Sequence, residues 1–358
     1  MPKSWTPKQR VEAALRFEDV DHVPFTVYEC MIPQCTDERT MRNEGLCIVQ
    51  RGPGVFGTRT PGITQETVTF VEEGRTRVRT TIHTEKGDLT RVDEPAPGTS
   101  WNVEKLFKGP EDYDKILATI TCREHYPAYE GFLRKAEEMG EDATMRAGVG
   151  YSPLQEIIYR ILGVEEFAIQ WTENRDEVMK LYDALSEDRR RIYEIVARSP
   201  ALCANYGGNV CPEIVGVERF GKYILPHYDE FAEIMHAHGK LMGVHLDANN
   251  RALAPLVATS KMDYVEAFTP PPDCDLSVAE ARALWPDKVI WINFPSSLFL
   301  KSDEEMVAAA RDILQQAAPG NGFLVGITED MPPDRWRPGM LAINSAVRQF
   351  GRLPIRRG

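Results

Sequence analysis

"KLMGVHLDANNRALAPLVATSKMDYVEAF", residues 240–268, decides the architecture. The apolar run Leu241–Val244 reads as a buried strand, and "MDYVEAF" as a second one. A helix-like stretch separates them. Two strands joined through a helix run parallel with a right-handed crossover. The first strand ends in His245, skips Leu246 and places Asp247. Alternation along a strand puts His245 and Asp247 on one face. Such a pair is either a set of metal ligands or proton carriers, or a strand end fading into a turn.

The same beat extends both ways. "HVPFTVYEC" (22–30), "ATMRAGVG" (143–150), "ALCANYGG" (201–208), "VIWINF" (289–294) and "GFLVGIT" (322–328) read as further strands. A long helix near 174–198 and an amphipathic helix over 220–239, ending at Gly239, lie between some of them. Thr6, Pro7 and Gln9 form a capping-box pattern that opens the first helix. Seven strands of this kind are placed and an eighth is not. Short strands at even spacing favour a closed (β/α)8 TIM barrel, an α/β fold, over a doubly wound open sheet. No GxGxxG follows the first strand, which argues against a dinucleotide site. Residues 66–93 differ: they are rich in threonine and valine, with turns at Glu73-Gly74 and Lys86-Gly87. They read as a β-meander, inserted after the first strand of an otherwise single barrel domain spanning 1–358.

Composition narrows the partners. The chain has 358 residues, 42 Lys plus Arg against 54 Asp plus Glu, and a net charge of −12. That disfavours nucleic acid or an anionic membrane surface. The N-terminus carries no apolar core of a signal peptide, and no run of about 18 apolar residues occurs. Seven scattered cysteines without a CxxC pair suit reduced thiols in a cytoplasmic protein.

In a barrel, chemistry gathers at the C-terminal strand ends. There the sequence places Tyr28-Glu29-Cys30, Asn205-Tyr206-Gly207-Gly208-Asn209 with Glu213 just beyond, His245 and Asp247, Glu266, Asn293, and Thr328-Glu329-Asp330. Together they form a polar cup on an apolar base. Tyr28, Glu29, Tyr206, Asn209, Phe268 and Asn293 are the candidate substrate-binding residues. Tyr151, Trp291 and Phe294 also lie near strand ends, where core packing explains them equally well. His227, His236 and His238 lie on or near the amphipathic helix and read as surface or capping residues.

At this point the chain resembles a family. "TPKQRVEAALRFEDVDHVPF" (6–25), "FGKYILPHYDEFAEIMHAHGKLMGVHLD" (220–247) and "FLVGITEDMPPDRWRPGMLAIN" (323–344) are similar to segments of the uroporphyrinogen decarboxylase superfamily. The resemblance spans most of the chain outside 66–93 and implies a (β/α)8 barrel. That superfamily holds porphyrinogen decarboxylases and zinc-dependent, corrinoid-linked methyltransferases, including coenzyme M methyltransferases and O-demethylase components. The decarboxylases carry a paired-arginine motif after the first strand and an aspartate in an FDSWAG-like segment. Here those regions read "YECMIPQCTDERTMRNEG" (28–45) and "NYGGNVCPEIVG" (205–216), without either motif. Four propionates on a porphyrinogen call for several fixed arginines, whereas this cup reads as acidic.

The thiol-methylating branch carries His-x-Cys on the His245 strand and a further cysteine at the last strand. This chain has His245-Leu246-Asp247, with Glu329 near the last cysteine's place. The resemblance therefore implies a zinc bound by His245, Asp247 and Glu329, with Glu213 or Glu266 as further ligands; a metal-free pocket using His245 as an acid is the alternative. Zinc accepts imidazole plus carboxylates and keeps a position open for substrate. His245, Asp247 and Glu329 are the candidate catalytic set. The implied activity is transfer of a methyl group from a small donor, an aromatic methyl ether above all, to the Co(I) of a separate corrinoid protein. No DxHxxG-type cobalamin signature is present, so the corrinoid (cobalamin) must arrive on a partner. A non-porphyrin decarboxylase or lyase and a non-catalytic binding barrel stay open, as does an oligomer.

Overall fold

A computed structural model of the chain describes residues 5–96 and 99–356. Contacts divide it into two compact units: residues 1–55, 128–150 and 196–358 form one, and 56–127 with 151–195 the other.

The first unit contains a closed, all-parallel eight-stranded barrel. Its strands are β1 (Phe25–Tyr28), β2 (Leu46–Gln50), β3 (Ala143–Gly150), β4 (Cys203–Tyr206), β5 (Leu241–His245), β6 (Tyr264–Phe268), β7 (Val289–Asn293) and β8 (Phe323–Ile327). Neighbours follow chain order, and β1 closes the ring on β8 with Phe25 opposite Val325. The strand the sequence did not reveal is β2, "LCIVQ". It follows a helix, Thr36–Asn43, whose only buried apolar residue is Met41, so no apolar periodicity announces the βα unit.

Alternation fills the barrel. Tyr28, Cys47, Val49, Cys203, Tyr264, Val289, Trp291 and Leu324 form one buried cluster. The first helix, Pro7–Leu15, adds Val11, Ala14 and Leu15 to it. That helix has the expected capping box at Thr6 and Gln9. Gly243 in β5 is required by this packing: a Cβ there would lie 2.0 Å from the Tyr264 ring. One strand breaks its alternation. Ala267 in β6 sits at φ 58°, and the register with β7 shifts between Glu266 and Phe268. This is a bulge beside the site, where such features re-aim side chains. Among the described residues no helix is long and apolar enough to cross a membrane.

The second unit holds a four-stranded antiparallel sheet, ordered Thr64–Glu72, Arg75–Thr84, Gly87–Ala96 and Thr99–Glu104. Residues 66–93 lie within it. The first turn works as the sequence suggests: Glu73 and Gly74 both take positive φ, at 51° and 78°, as a two-residue hairpin loop requires. Because Leu46–Gln50 is a barrel strand, this sheet follows the second strand, not the first as expected. The unit also contains an ion network around the fully buried Asp188, which pairs with Arg123 at 3.0 Å and with His125 at 2.8 Å.

Candidate metal centre at the barrel mouth

Strands converge their polar residues at one end of the barrel. β1 supplies Tyr28, β3 Arg146, β4 Asn205, β5 His245, β6 Tyr264 and Glu266, and the loop after β8 supplies Glu329. Glu266 is fully buried at their centre. Its Oε1 accepts from the Tyr28 hydroxyl and from Arg146 Nη1, the latter at 2.5 Å. Its Oε2 accepts from Asn205 Nδ2 at 3.0 Å and faces His245 Nδ1 at 2.8 Å. Tyr264 donates its hydroxyl to Asn205 Oδ1 at 2.6 Å, which fixes the amide so that its NH2 points to Glu266.

These partners set the charges. Burial works against ionising Glu266, but Arg146 and His245 outweigh it and hold the carboxyl well below the usual carboxylate range. Burial pushes the Tyr28 phenol up to about 12. For His245, burial opposes protonation; the Glu266 charge and hydrogen bonds to Asp247, Glu266 and Glu329 overcome it, so the imidazole's pKa is raised.

The other ring nitrogen carries the candidate metal function. His245 Nε2 lies 3.5 Å from Asp247 Oδ2 and 3.3 Å from Glu329 Oε1. One ligand atom from each of His245, Asp247 and Glu329 falls within 4.8 Å of the others. Asp247 Oδ1 is buried without a hydrogen-bond partner. An orphaned carboxylate oxygen beside an imidazole nitrogen and a second carboxylate fits a divalent cation with an open position. Asn293 supports this end of the site: its Oδ1 accepts from the backbone N–H of Thr328 at 2.9 Å and of Glu329 at 3.3 Å.

The expected residues distribute unevenly. His245, Asp247 and Glu329 come together. Glu266 lies behind the imidazole, on Nδ1, with both oxygens engaged. Glu213 stands outside the cluster, bonded to Asn249 at 3.0 Å and to Cys211 at 3.0 Å. Glu29 is paired with Arg51 at 3.1 Å. Asn209 is exposed in the loop after β4, with φ 53°.

Tyr206 and Phe268 are turned away from the cup. Asn205 points inward, so Tyr206 points outward and packs on Tyr228 and Phe231, with ring centroids at 5.2 and 5.7 Å. Strict alternation would put Phe268 with Glu266, but the Ala267 bulge turns it onto Trp285, 5.7 Å away. His227, expected to have a surface or capping role, is buried, while His236 pairs with Asp263 at 2.9 Å.

Arg146 and Tyr264 were not singled out from sequence, and Asn205 stood only in the strand-end run of the cup, without an assigned role. The available signal was Arg146 itself, a lone charge inside the apolar strand "ATMRAGVG". A charge buried in a barrel strand demands an opposite charge on another strand, and Glu266 is that partner. Arg51, 3.8 Å from the Tyr28 ring centroid, adds a second cation to a mouth that composition painted as acidic.

The fold is similar to that of a methyltransferase from Methanosarcina mazei, with a TM-score of 0.57 over 97% of this chain and 99% of that one, at 14% identity. At that identity what the two share is the fold. A psychrophilic glycoside hydrolase family 10 endo-β-1,4-xylanase matches at a TM-score of 0.34 and 12% identity, over 57% of this chain and 72% of that one, too distant to inform the site. The sequence matches no protein-family model and no curated protein.

Proposed function

We propose that the chain is a metal-dependent methyltransferase of the corrinoid-linked branch of the uroporphyrinogen decarboxylase superfamily. It moves a methyl group from an oxygen-bound donor to the Co(I) of a separate corrinoid protein. The observation that carries this reading is the His245–Asp247–Glu329 cluster, set at the C-terminal strand ends of a barrel whose fold is also that of a methyltransferase.

His245 Nε2, one oxygen of Asp247 and one of Glu329 would hold a zinc ion. Bound there, zinc supplies a Lewis acid for the ether oxygen. Imidazole with carboxylates leaves more positive charge on the ion than thiolates do, which favours an oxygen donor over a thiol. Among oxygen-bound methyls an aryl ether is the best fit, because it leaves as phenoxide rather than as an alkoxide. The chain's own residues orient and exclude. Glu266 holds the His245 ring, Asn293 holds the backbone that carries Glu329, and Tyr28 covers the floor with its hydroxyl engaged. No nucleophile is needed on this chain, since the attacking electron pair comes from cobalt and ends in the new Co–C bond. The O–CH3 bond pair leaves with the oxygen.

The test is a donor panel. Methoxylated arenes, methanol, methylamines and methylated thiols are supplied in turn with a reduced corrinoid protein, and Co(I) methylation is followed by absorbance. Turnover with methoxyarenes is expected. Turnover confined to thiols or amines would remove the oxygen-donor assignment. Turnover with none, together with decarboxylation or elimination of an acidic substrate, would replace methyl transfer with the lyase reading.

A further inference from the structure

We infer that Arg146 is a positioning residue for the metal centre: acting through Glu266, it dictates which imidazole nitrogen of His245 carries the proton and leaves Nε2 to the ion. The inference rests on the metal-centre reading above. Its basis is the division of labour between the two oxygens of one buried carboxylate. Oε1 is taken by Arg146 Nη1 and the Tyr28 hydroxyl; Oε2 is left for Asn205 Nδ2 and His245 Nδ1. Asn205 cannot turn to offer its own oxygen, because Tyr264 donates to it. Glu266 therefore presents only acceptors to Nδ1, and a neutral ring must place its proton there. Nε2, facing Asp247 and Glu329, is then the lone-pair nitrogen. Carboxylates that hold a ligating histidine in this way fix its tautomer and raise its basicity.

Arg146 earns a separate role from what would happen to an amide at position 266. In Glu266→Gln the carboxamide has one acceptor end and one donor end. The charged guanidinium is the stronger donor and takes the oxygen, since charge-assisted hydrogen bonds outweigh neutral ones. The NH2 end is then forced toward His245 Nδ1. The imidazole must accept there and carry its proton on Nε2, where the metal should bind. Removing the guanidinium as well frees the amide to turn. Its oxygen can then accept from Asn205 and His245 while its NH2 donates to the Tyr28 oxygen. A second substitution should thus restore what the first destroys.

The experiment measures zinc affinity by competition with a chromophoric chelator for the full-length wild-type, Glu266→Gln and Arg146→Met/Glu266→Gln proteins. Glu266→Gln should bind about 10–100-fold more weakly than wild type, the range for loss of such outer partners. The double variant should recover about tenfold or more of that loss. An unchanged affinity in Glu266→Gln, or a double variant as weak as or weaker than the single, overturns the inference. Glu266→Gln leaves Arg146 without a counter-charge and can fail to fold, so a second readout uses wild type alone. In zinc-loaded protein labelled with 15N-histidine, the His245 resonances should show a protonated Nδ1 and a metal-bound Nε2. The reverse assignment, or no zinc uptake by wild type, also overturns it. Failure of the methyl-transfer reading looks different: the tautomer and affinity pattern would hold while zinc-loaded protein methylated no Co(I) corrinoid.

Discussion

His245 on β5 and Glu329 beyond β8 meet at 3.3 Å, Nε2 to Oε1, although three barrel strands and their connections separate them in sequence. Asp247 completes the group from the loop that follows β5. We expect about one zinc per chain after purification, as one three-ligand catalytic site would hold. Asp247→Asn and Glu329→Gln should each lower zinc affinity while the thermal midpoint stays near wild type. Elemental analysis and equilibrium competition check this; an undiminished zinc content in the Asp247→Asn/Glu329→Gln double variant would move the ion elsewhere.

Metal uptake should depend on pH in a definite direction. The pKa of His245 is raised in the metal-free chain, so near neutral pH the ring is protonated and Nε2 holds a proton where the ion must bind. Binding expels that proton. Zinc affinity should therefore rise with pH from 6 through 8, approaching a slope of one proton per ion, and level off only above the raised pKa. Calorimetry in buffers of different ionisation enthalpy counts the protons. A flat profile over that range would mean that His245 is not the titrating ligand.

His245→Ala should abolish methyl transfer and cost only about 1–2 kcal/mol of stability, in the ordinary range for a single substitution. The side chain is only partly buried, and Glu266 keeps Arg146, Tyr28 and Asn205 when the ring is lost. Urea unfolding alongside the activity assay separates the two effects. Loss of more than about 4 kcal/mol would make His245 a packing residue instead.

Much of this was legible in the sequence. Seven barrel strands announce themselves as short apolar runs, and period-two alternation pointed to His245 and Asp247, although β5 ends at His245 and Asp247 reaches the site from the loop beyond it. The missing strand, Leu46–Gln50, sits after a short, strongly polar helix in which Met41 is the one buried apolar residue. Tyr28 lies in the cup, whereas Tyr206 and Phe268 face away from it. Which face Phe268 takes depends on one backbone irregularity at Ala267, and nothing in "YVEAF" marks it. Arg146 was visible as a lone charge, but its partner lies on a strand that only barrel closure brings near.

Gly243 tests the link between packing and site. A Cβ at this position would collide with the Tyr264 ring. Gly243→Ala should destabilise the protein by about 1–3 kcal/mol, as overpacking does. It should also weaken zinc binding, because a displaced Tyr264 releases the Asn205 amide that serves Glu266. Denaturant midpoints and chelator competition report the two consequences. Stability lost with zinc affinity unchanged would sever Tyr264 from the site.

The most direct measurement is metal dependence of methyl transfer itself. The protein is stripped with a chelator, assayed with a methoxylated arene and a reduced corrinoid protein, then reloaded with one equivalent of zinc. The account predicts that Co(I) methylation falls to background on stripping and returns on reloading in wild type, and returns in neither His245→Ala nor the Asp247→Asn/Glu329→Gln double variant. Full activity in the exhaustively stripped protein would contradict it.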